Sequence, residues 1–254
     1  MPEEMPTAAE TAARLLDPSF SPQAFTPQGA DSSVRANTIW HGSFEALKKV
    51  GLRQGTAVRA RDLTAVLSGR HVRTGAPVLP AGEVFDLTFK APNSLSFLWS
   101  RLAPSQRADI EDALLDCSAL MLTRLTADHP VINGIRPARS LVASLVLHAV
   151  GTLSAADGKI PPMLHVHCFL FAVLDETGAL TQPDEATLYD EEILTQCDTL
   201  GEEALAQRMV GLGHSIIPTA GNAEHSFEVA GVPQELLDDH ELWQNTGCAV
   251  ASLD

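Results

Sequence analysis

Three histidines are the residues whose type and spacing are best suited to chemistry. His165 and His167 are separated by one residue within 163–173, a segment rich in β-branched and aromatic residues and free of Gly and Pro, which predicts a strand. Because side chains alternate between the two faces of a strand, both imidazoles project from the same face. His148 lies near the end of a second predicted strand, 141–150. If the two strands pair antiparallel, the three imidazoles converge on one face of a sheet.

This convergence predicts a divalent metal site. Three neutral nitrogen donors leave coordination positions open, as a working metal requires and a structural one does not. Spacing alone does not distinguish Mg, Mn, Zn, Fe or Cu. The alternative for His165 and His167 is an ordinary half-buried strand face, because short motifs also arise without any function.

Three segments, in the same order along the chain, resemble the MobF-type conjugative relaxases, the group that contains TrwC and TraI. Residues 85–96 read Phe-Asp-Leu-Thr-Phe-Lys-Ala-Pro-Asn-Ser-Leu-Ser, similar to that family's signature aromatic-Asp-Leu-Thr-Phe-x-Ala-Pro-Lys-Ser-Val-Ser. Residues 164–167, with the upstream histidine, are similar to its HUH-like three-histidine metal motif, and 227–236 is close to a segment near the end of its domain. Residues 40–75 show a weaker similarity to the same family. The resemblance therefore covers about residues 40–242.

The resemblance implies a specific chemistry. In such relaxases a tyrosine attacks one phosphodiester at a transfer origin, a metal held by three histidines polarises the scissile phosphate, and a carboxylate helps to deprotonate the tyrosine. A cation and a positioned base are physically suited to these tasks. Carried onto this sequence, the family's motif makes His148, His165 and His167 metal ligands and places Asp86 at the carboxylate position.

The sequence departs from the family pattern at the nucleophile. The tyrosines of these relaxases lie near the N-terminus, whereas residues 1–39 here contain none. The one tyrosine in the chain, Tyr189, falls in a predicted helix, and Asn93 stands where the family has a lysine that could contact phosphate. We therefore expect the metal site to be retained and tyrosine-mediated nicking to be lost.

Charge is distributed unevenly along the chain. The formal net charge is −15, which opposes DNA binding because affinity for phosphates comes largely from Lys and Arg. Yet residues 35–73 hold eight Lys and Arg against Glu45 and Asp62, whereas residues 176–254 hold 16 Asp and Glu against Arg208 alone. The basic segment is a candidate surface for single-stranded DNA, and the alternative is a pair of solvated helical faces.

Two main classes of function fit these features. In the first, the chain is a relaxase-derived metalloenzyme that acts on a small anionic or nucleotide-like substrate, with Asp86 as the base and water or the substrate as the attacking group. In the second, it is a non-cutting accessory module of a conjugation system that holds single-stranded DNA or a protein partner. A narrower third possibility is a working relaxase with an unrecognised nucleophile.

The predicted fold is α+β, an antiparallel sheet with flanking helices, which agrees with the relaxase-like palm that the resemblance implies. We predict a flexible Pro-rich leader over 1–33, containing a short helix near 8–16, a relaxase-like metal-binding domain over 34–245 and a C-terminal tail over 246–254. The four cysteines lack short pairing spacings and no signal peptide accompanies them, which favours the reducing cytoplasm. No apolar run reaches the length of a membrane span, so no membrane partner is expected.

Overall fold

The structure is a computed structural model, and it describes residues 7–22, 37–79, 84–128, 137–150, 162–219, 225–233 and 235. Its helices are α1 (Ala8–Leu15), α2 (Phe44–Val50), α3 (Ala60–Leu67), α4 (Asn93–Arg101), α5 (Pro104–Asp128), α6 (Glu185–Leu188) and α7 (Glu191–Gly211), with a 3₁₀ helix at Pro18–Phe20. Its strands are β1 (Thr38–His41), β2 (Phe85–Lys90), β3 (Ala138–Val150), β4 (Pro162–Asp175), β5 (Leu180–Thr181), β6 (Ile216–Pro218) and β7 (Phe227–Val229).

The central sheet has the order β1-β3-β4-β2, and β5 pairs with the end of β4. All of these pairings are antiparallel, and β6 and β7 form a separate two-stranded sheet. The long β3–β4 pair lies at the centre because both strands are apolar on both faces, which suits strands covered from both sides. The predicted α+β fold with an antiparallel sheet is confirmed.

Two hydrophobic clusters lie on opposite faces of this sheet. On the first face, helices α4, α5 and α7 pack against alternate residues of β2, β3 and β4, which include Phe85, Leu87, Phe89, Leu145, Leu147, Val166 and Cys168. On the second face, helices α1, α2 and α3 pack against the intervening residues, which include Trp40, Val142, Val146, Phe169 and Phe171. The histidines of β3 and β4 belong to the second face by the same alternation.

The serines of the 85–96 segment have structural roles. The Ser96 hydroxyl accepts the backbone N–H of Leu164 at 3.0 Å, which ties the start of α4 to β4. The Ser94 hydroxyl accepts the backbone N–H of Val229 at 2.7 Å and donates to the Glu228 carboxylate, which ties α4 to β7. Both serines are fully buried, so these hydrogen bonds satisfy groups that would otherwise be costly to bury.

Part of the predicted leader packs on the sheet. Within 1–33, residues 7–22 form α1 and the 3₁₀ helix, and a capping box between Thr7 and Glu10 begins α1. Ala12 is fully buried in the second-face cluster, where α1 packs against α3. The rest of 1–33, residues 151–161 between β3 and β4, and the tail 246–254 lie outside the described residues, and the domain boundaries stay predictions.

Among the described helices, none is both long enough and apolar enough to cross a bilayer.

Glu202 connects α7 to the residues that precede β7. Its carboxylate accepts hydrogen bonds from Nδ1 of His225 at 2.8 Å and from the backbone N–H of Ser226 at 2.7 Å. Burial alone raises the pKa of this carboxyl group, but the hydrogen bonds from His225 and Ser226 outweigh it and hold the pKa below its ordinary value.

We predict that Glu202→Gln lowers the free energy of unfolding by about 1–3 kcal/mol, because the charged acceptor is lost while His225 stays buried. The folded-state pKa lies below the unfolded one, so the carboxylate's contribution is complete above pH 4.5 and disappears as the pH falls through the folded value. Urea unfolding at neutral and acid pH measures both effects, with exposed Glu203→Gln as the control. An acid dependence equal to that of wild type would contradict the assignment.

Candidate metal centre

The pairing of β3 with β4 brings the three histidines together. His148 and His165 are direct partners in the antiparallel register, and His167 follows His165 by two residues on the same face. The ring centroids lie 5.3 Å apart for His148 and His165, 4.8 Å for His148 and His167, and 4.9 Å for His165 and His167. One ligand atom from each ring lies within 4.8 Å of the other two. The predicted convergence is therefore present in the structure.

Each imidazole also has an oxygen neighbour outside the cluster. Nδ1 of His167 lies 2.7 Å from Oδ2 of Asp86, and Nδ1 of His165 lies 3.2 Å from the carbonyl oxygen of Met163. The carbonyl and carboxylate oxygens are the acceptors in these contacts, so Nδ1 is the donor in each, which leaves Nε2 as the nitrogen available to a metal. Metal-binding histidines in proteins are usually held in this way, which fixes the tautomer and the ring orientation.

The third imidazole is held by the N-terminal segment. The backbone carbonyl of Leu15, at the end of α1, is hydrogen-bonded to His148. The Phe20 ring lies against the same imidazole, with 5.4 Å between the ring centroids. Residues 7–22 therefore supply both an acceptor and an apolar cover for one side of the cluster.

Burial keeps two of the imidazoles neutral at physiological pH. It is the largest cause that lowers the pKa of His148 to about 4, and the neighbouring His167 adds to it while the Leu15 carbonyl, Asp86 and Asp17 oppose it. Burial also lowers the pKa of His165 to about 3, with His167 and His148 as further causes. Neutral imidazole is the form that binds metal.

Asp86 and Thr88 orient the most accessible ligand. The Thr88 hydroxyl lies 3.3 Å from Oδ1 of Asp86 and 3.2 Å from Nδ1 of His167. The His167 ring stacks on Phe169, with an interplanar angle of 2°. The side chains of His167 and Asp86 are 20% and 25% exposed, whereas His148 and His165 are buried, so the cluster opens to solvent toward β2.

The sequence predicts the three histidines and Asp86 as site residues, but it does not predict the other groups that hold the imidazoles. Thr88 could have been found, since it follows Asp86 by two residues on the same strand face. The carbonyl oxygens of Leu15 and Met163 carry no sequence signal, because every residue has one.

Tyr189 lies on the other side of the sheet. It packs against the first-face cluster at the end of α6, and its ring centroid is 6.1 Å from that of Phe85. Phe85 and Asp86 are adjacent in β2 and point to opposite faces, so the sheet separates Tyr189 from the histidines.

The basic segment predicted from the sequence is exposed where the structure describes it. The lysines and arginines of residues 37–79 all lie at the surface, namely Lys48, Lys49, Arg53, Arg59, Arg61, Arg70 and Arg73. Beside them Phe44 is 76% exposed, and the Lys48 ammonium lies 5.6 Å from its ring centroid. This surface offers both cations and an accessible aromatic ring.

The fold and the histidine cluster together define a relaxase-like protein. The family model described as TrwC relaxase matches residues 31–240. The chain therefore belongs to the TrwC relaxase family, and the resemblance inferred from the sequence is confirmed. No curated protein matches the chain significantly in sequence.

Solved relaxase structures are similar to this one in fold. A metal-bound complex of conjugative relaxase TrwC with oriT DNA is 19% identical and has a TM-score of 0.59, with 84% of this chain and 72% of that chain covered. A copper-bound complex has a TM-score of 0.57 at 19% identity, covering 78% and 67%. A metal-free complex has a TM-score of 0.58 at 17% identity, covering 85% and 75%.

We predict that His165→Ala removes most of the bound divalent metal, because it deletes one of three donors. Among the described residues, no fourth side chain of the cluster could replace it. Metal per chain, measured by elemental analysis after dialysis, tests this. His214→Ala, a histidine outside the cluster, is the control. Full metal occupancy in His165→Ala would refute the ligand assignment.

A second prediction concerns Asp86→Asn, which keeps the shape of the side chain and removes its charge. We expect near-normal thermal stability and a metal affinity reduced by about tenfold, because His167 loses a charged acceptor but keeps an amide oxygen. Thr88→Val, which leaves the carboxylate in place, should have a smaller effect. Global unfolding of Asp86→Asn would show instead that Asp86 stabilises the fold.

Proposed function

We propose that this chain binds single-stranded DNA at a divalent metal held by His148, His165 and His167, without forming a tyrosine-linked DNA adduct. The observation that carries the proposal is the set of three converging imidazoles, each with an oxygen acceptor behind it. That arrangement fits a metal through its donor set and through the acceptors that orient the rings. When bound, the cation would neutralise charge on the non-bridging oxygens of a phosphodiester.

In the described part of the structure, the three-histidine centre is open to solvent on one side only, the side of the edge strand β2, and a DNA strand could approach it there. His148 and His165 are buried, and residues 7–22 cover His148, whereas His167 and Asp86 are partly open to solvent. A phosphodiester would therefore reach the centre from the side of β2. The exposed cations of 37–79 would add electrostatic attraction for a strand that extends beyond the site.

In this proposal Asp86 is a positioning residue for His167. Its Oδ2 lies 2.7 Å from Nδ1 of His167, and its Oδ1 lies 3.3 Å from the Thr88 hydroxyl. Both carboxylate oxygens therefore have partners, and the one near His167 orients that imidazole toward the metal. The role of general base, which the resemblance implied, remains a prediction.

A second candidate function is hydrolysis of the strand with water as the attacking group. The partial exposure of His167 favours it, because water can reach the same side of the centre as the phosphate. A small anionic substrate receives no support from the comparisons with known proteins, whose similar structures hold DNA.

We predict metal-dependent binding of a labelled single-stranded oligonucleotide, with no covalent protein–DNA band on a denaturing gel. Fluorescence anisotropy with and without added Mn²⁺ measures the binding, and EDTA should reverse it. His165→Ala should bind no better with Mn²⁺ than without.

The same reactions distinguish the alternatives. Shortened strands would support hydrolysis, and a covalent band abolished by Tyr189→Phe would contradict the proposal by showing that Tyr189 is a nucleophile. Equal binding with and without metal would show that the histidine cluster takes no part in DNA binding.

A further inference from the structure

Helix α2 presents an aromatic ring and two lysines to solvent. Its outer side carries Phe44, Lys48 and Lys49, while its inner side packs into the second-face core through Ala46, Leu47 and Val50. Phe44 is 76% exposed, the highest value among the exposed large hydrophobic side chains of the described residues. The Lys48 ammonium, one turn further along the helix, lies 5.6 Å from the centroid of this ring. Covering an apolar ring of this size with a ligand is favourable.

Further cations follow the end of α2. Arg53 comes three residues after the helix, and Arg73 lies in a loop whose Val72 N–H donates to the Val50 carbonyl at 3.0 Å. Both arginines are exposed. Among the described residues, no carboxylate forms an ion pair with either arginine or with the two lysines of α2. Their charges are therefore available to an anionic ligand.

The two acidic residues of 37–79 do not cancel this charge. Glu45 directs its carboxylate toward the turn before β5, where its Oε1 lies close to Gly178. Asp62 is paired with Arg61 at 3.3 Å. The chain as a whole carries a net charge of −15, yet one exposed area is positive and aromatic. We call this area the α2 surface, and it consists of Phe44, Lys48, Lys49, Arg53 and Arg73.

The α2 surface is separate from the three-histidine centre. The Ser43 N–H donates to the Ser140 hydroxyl at 2.8 Å, which places the start of α2 beside the start of β3. His148 lies eight residues further along that strand, which is roughly 25 Å at the rise of a β-strand. A ligand can therefore bind to α2 without touching the metal site.

We propose that the α2 surface is a second contact for single-stranded DNA, in which a base stacks on the Phe44 ring and the adjoining phosphates are neutralised by the lysines and arginines. The choice of DNA rests on the function proposed above. Proteins that bind single strands combine these same two elements, cations that follow the backbone and an aromatic ring that accepts any base. Because the surface lies away from the histidines, this contact forms without metal.

The test measures the affinity of the full chain for a labelled oligothymidine in EDTA over a range of salt concentrations. Phe44→Ala removes the ring, Phe44→Trp keeps a stacking surface, and Lys48→Gln removes one charge. The matched controls are Ile217→Ala, which removes an exposed apolar side chain from β6, and Arg124→Gln, which removes an exposed cation from α5. Melting temperature and sedimentation are recorded for each protein.

In EDTA we expect Phe44→Ala to bind about tenfold more weakly with an unchanged salt dependence, because stacking releases no counterions. Lys48→Gln should bind more weakly and lower the slope of log affinity against log salt by about 0.7. Phe44→Trp should bind as wild type, and the strand should quench more of its fluorescence than of the wild type's. Every variant should keep the wild-type melting temperature, since the altered side chains are exposed, and both controls should bind as wild type.

Four outcomes would contradict this role of Phe44. If Phe44→Ala binds as tightly as wild type in EDTA, no base stacks on the ring. If the wild type binds only with Mn²⁺, the proposed function stands and the α2 surface takes no part in it, whereas a wild type that binds in neither condition refutes both. If Phe44→Ala keeps its DNA affinity but converts a dimer to a monomer, or no longer binds phosphatidylserine vesicles that the wild type binds, the surface serves a second copy or a membrane instead.

Discussion

The antiparallel pairing of β3 with β4 is the constraint on which the rest of the structure depends. It sets His148 directly opposite His165, and alternation places His167 on the same face. A slip of one residue in either strand would send that strand's imidazoles to the other face. Such a slip is prevented because the intervening residues, such as Leu147 and Val166, are fully buried under the helices of the first face. The hydrophobic core thus fixes the register, and the register fixes the positions of the metal donors.

The groups that hold the imidazoles come from separate parts of the chain. Leu15 belongs to the N-terminal segment, Asp86 to the edge strand β2, and Met163 to β4 itself. The centre is therefore complete only when these segments are folded against the sheet. Metal binding should accordingly stabilise the packing of residues 7–22 as well as the central strands, because a ligand that binds only the folded state shifts the folding equilibrium.

Much of this arrangement could be predicted from the sequence, for identifiable reasons. The histidine strands and the polar face of β2 follow from alternation, and α4 begins at Asn93 because Pro92 ends the preceding strand and leads into the helix. Other features had no local signal. β1 is only four residues long and is held by its pairing with β3, and a backbone carbonyl such as that of Leu15 looks the same in every sequence. The sequence also predicts a helix over 233–243, which lies almost wholly outside the described residues and stays a prediction.

The most direct test of the account is anomalous diffraction from crystals of the protein grown with Mn²⁺ or Zn²⁺. We predict one dominant anomalous peak at the centre of the cluster, about 2.0–2.3 Å from one ring nitrogen of His148 and from Nε2 of His165 and His167, with Nδ1 of His165 and of His167 still directed at its oxygen acceptor. A cluster without an anomalous peak, or a metal bound through Nδ1 with Asp86 displaced from His167, would contradict it.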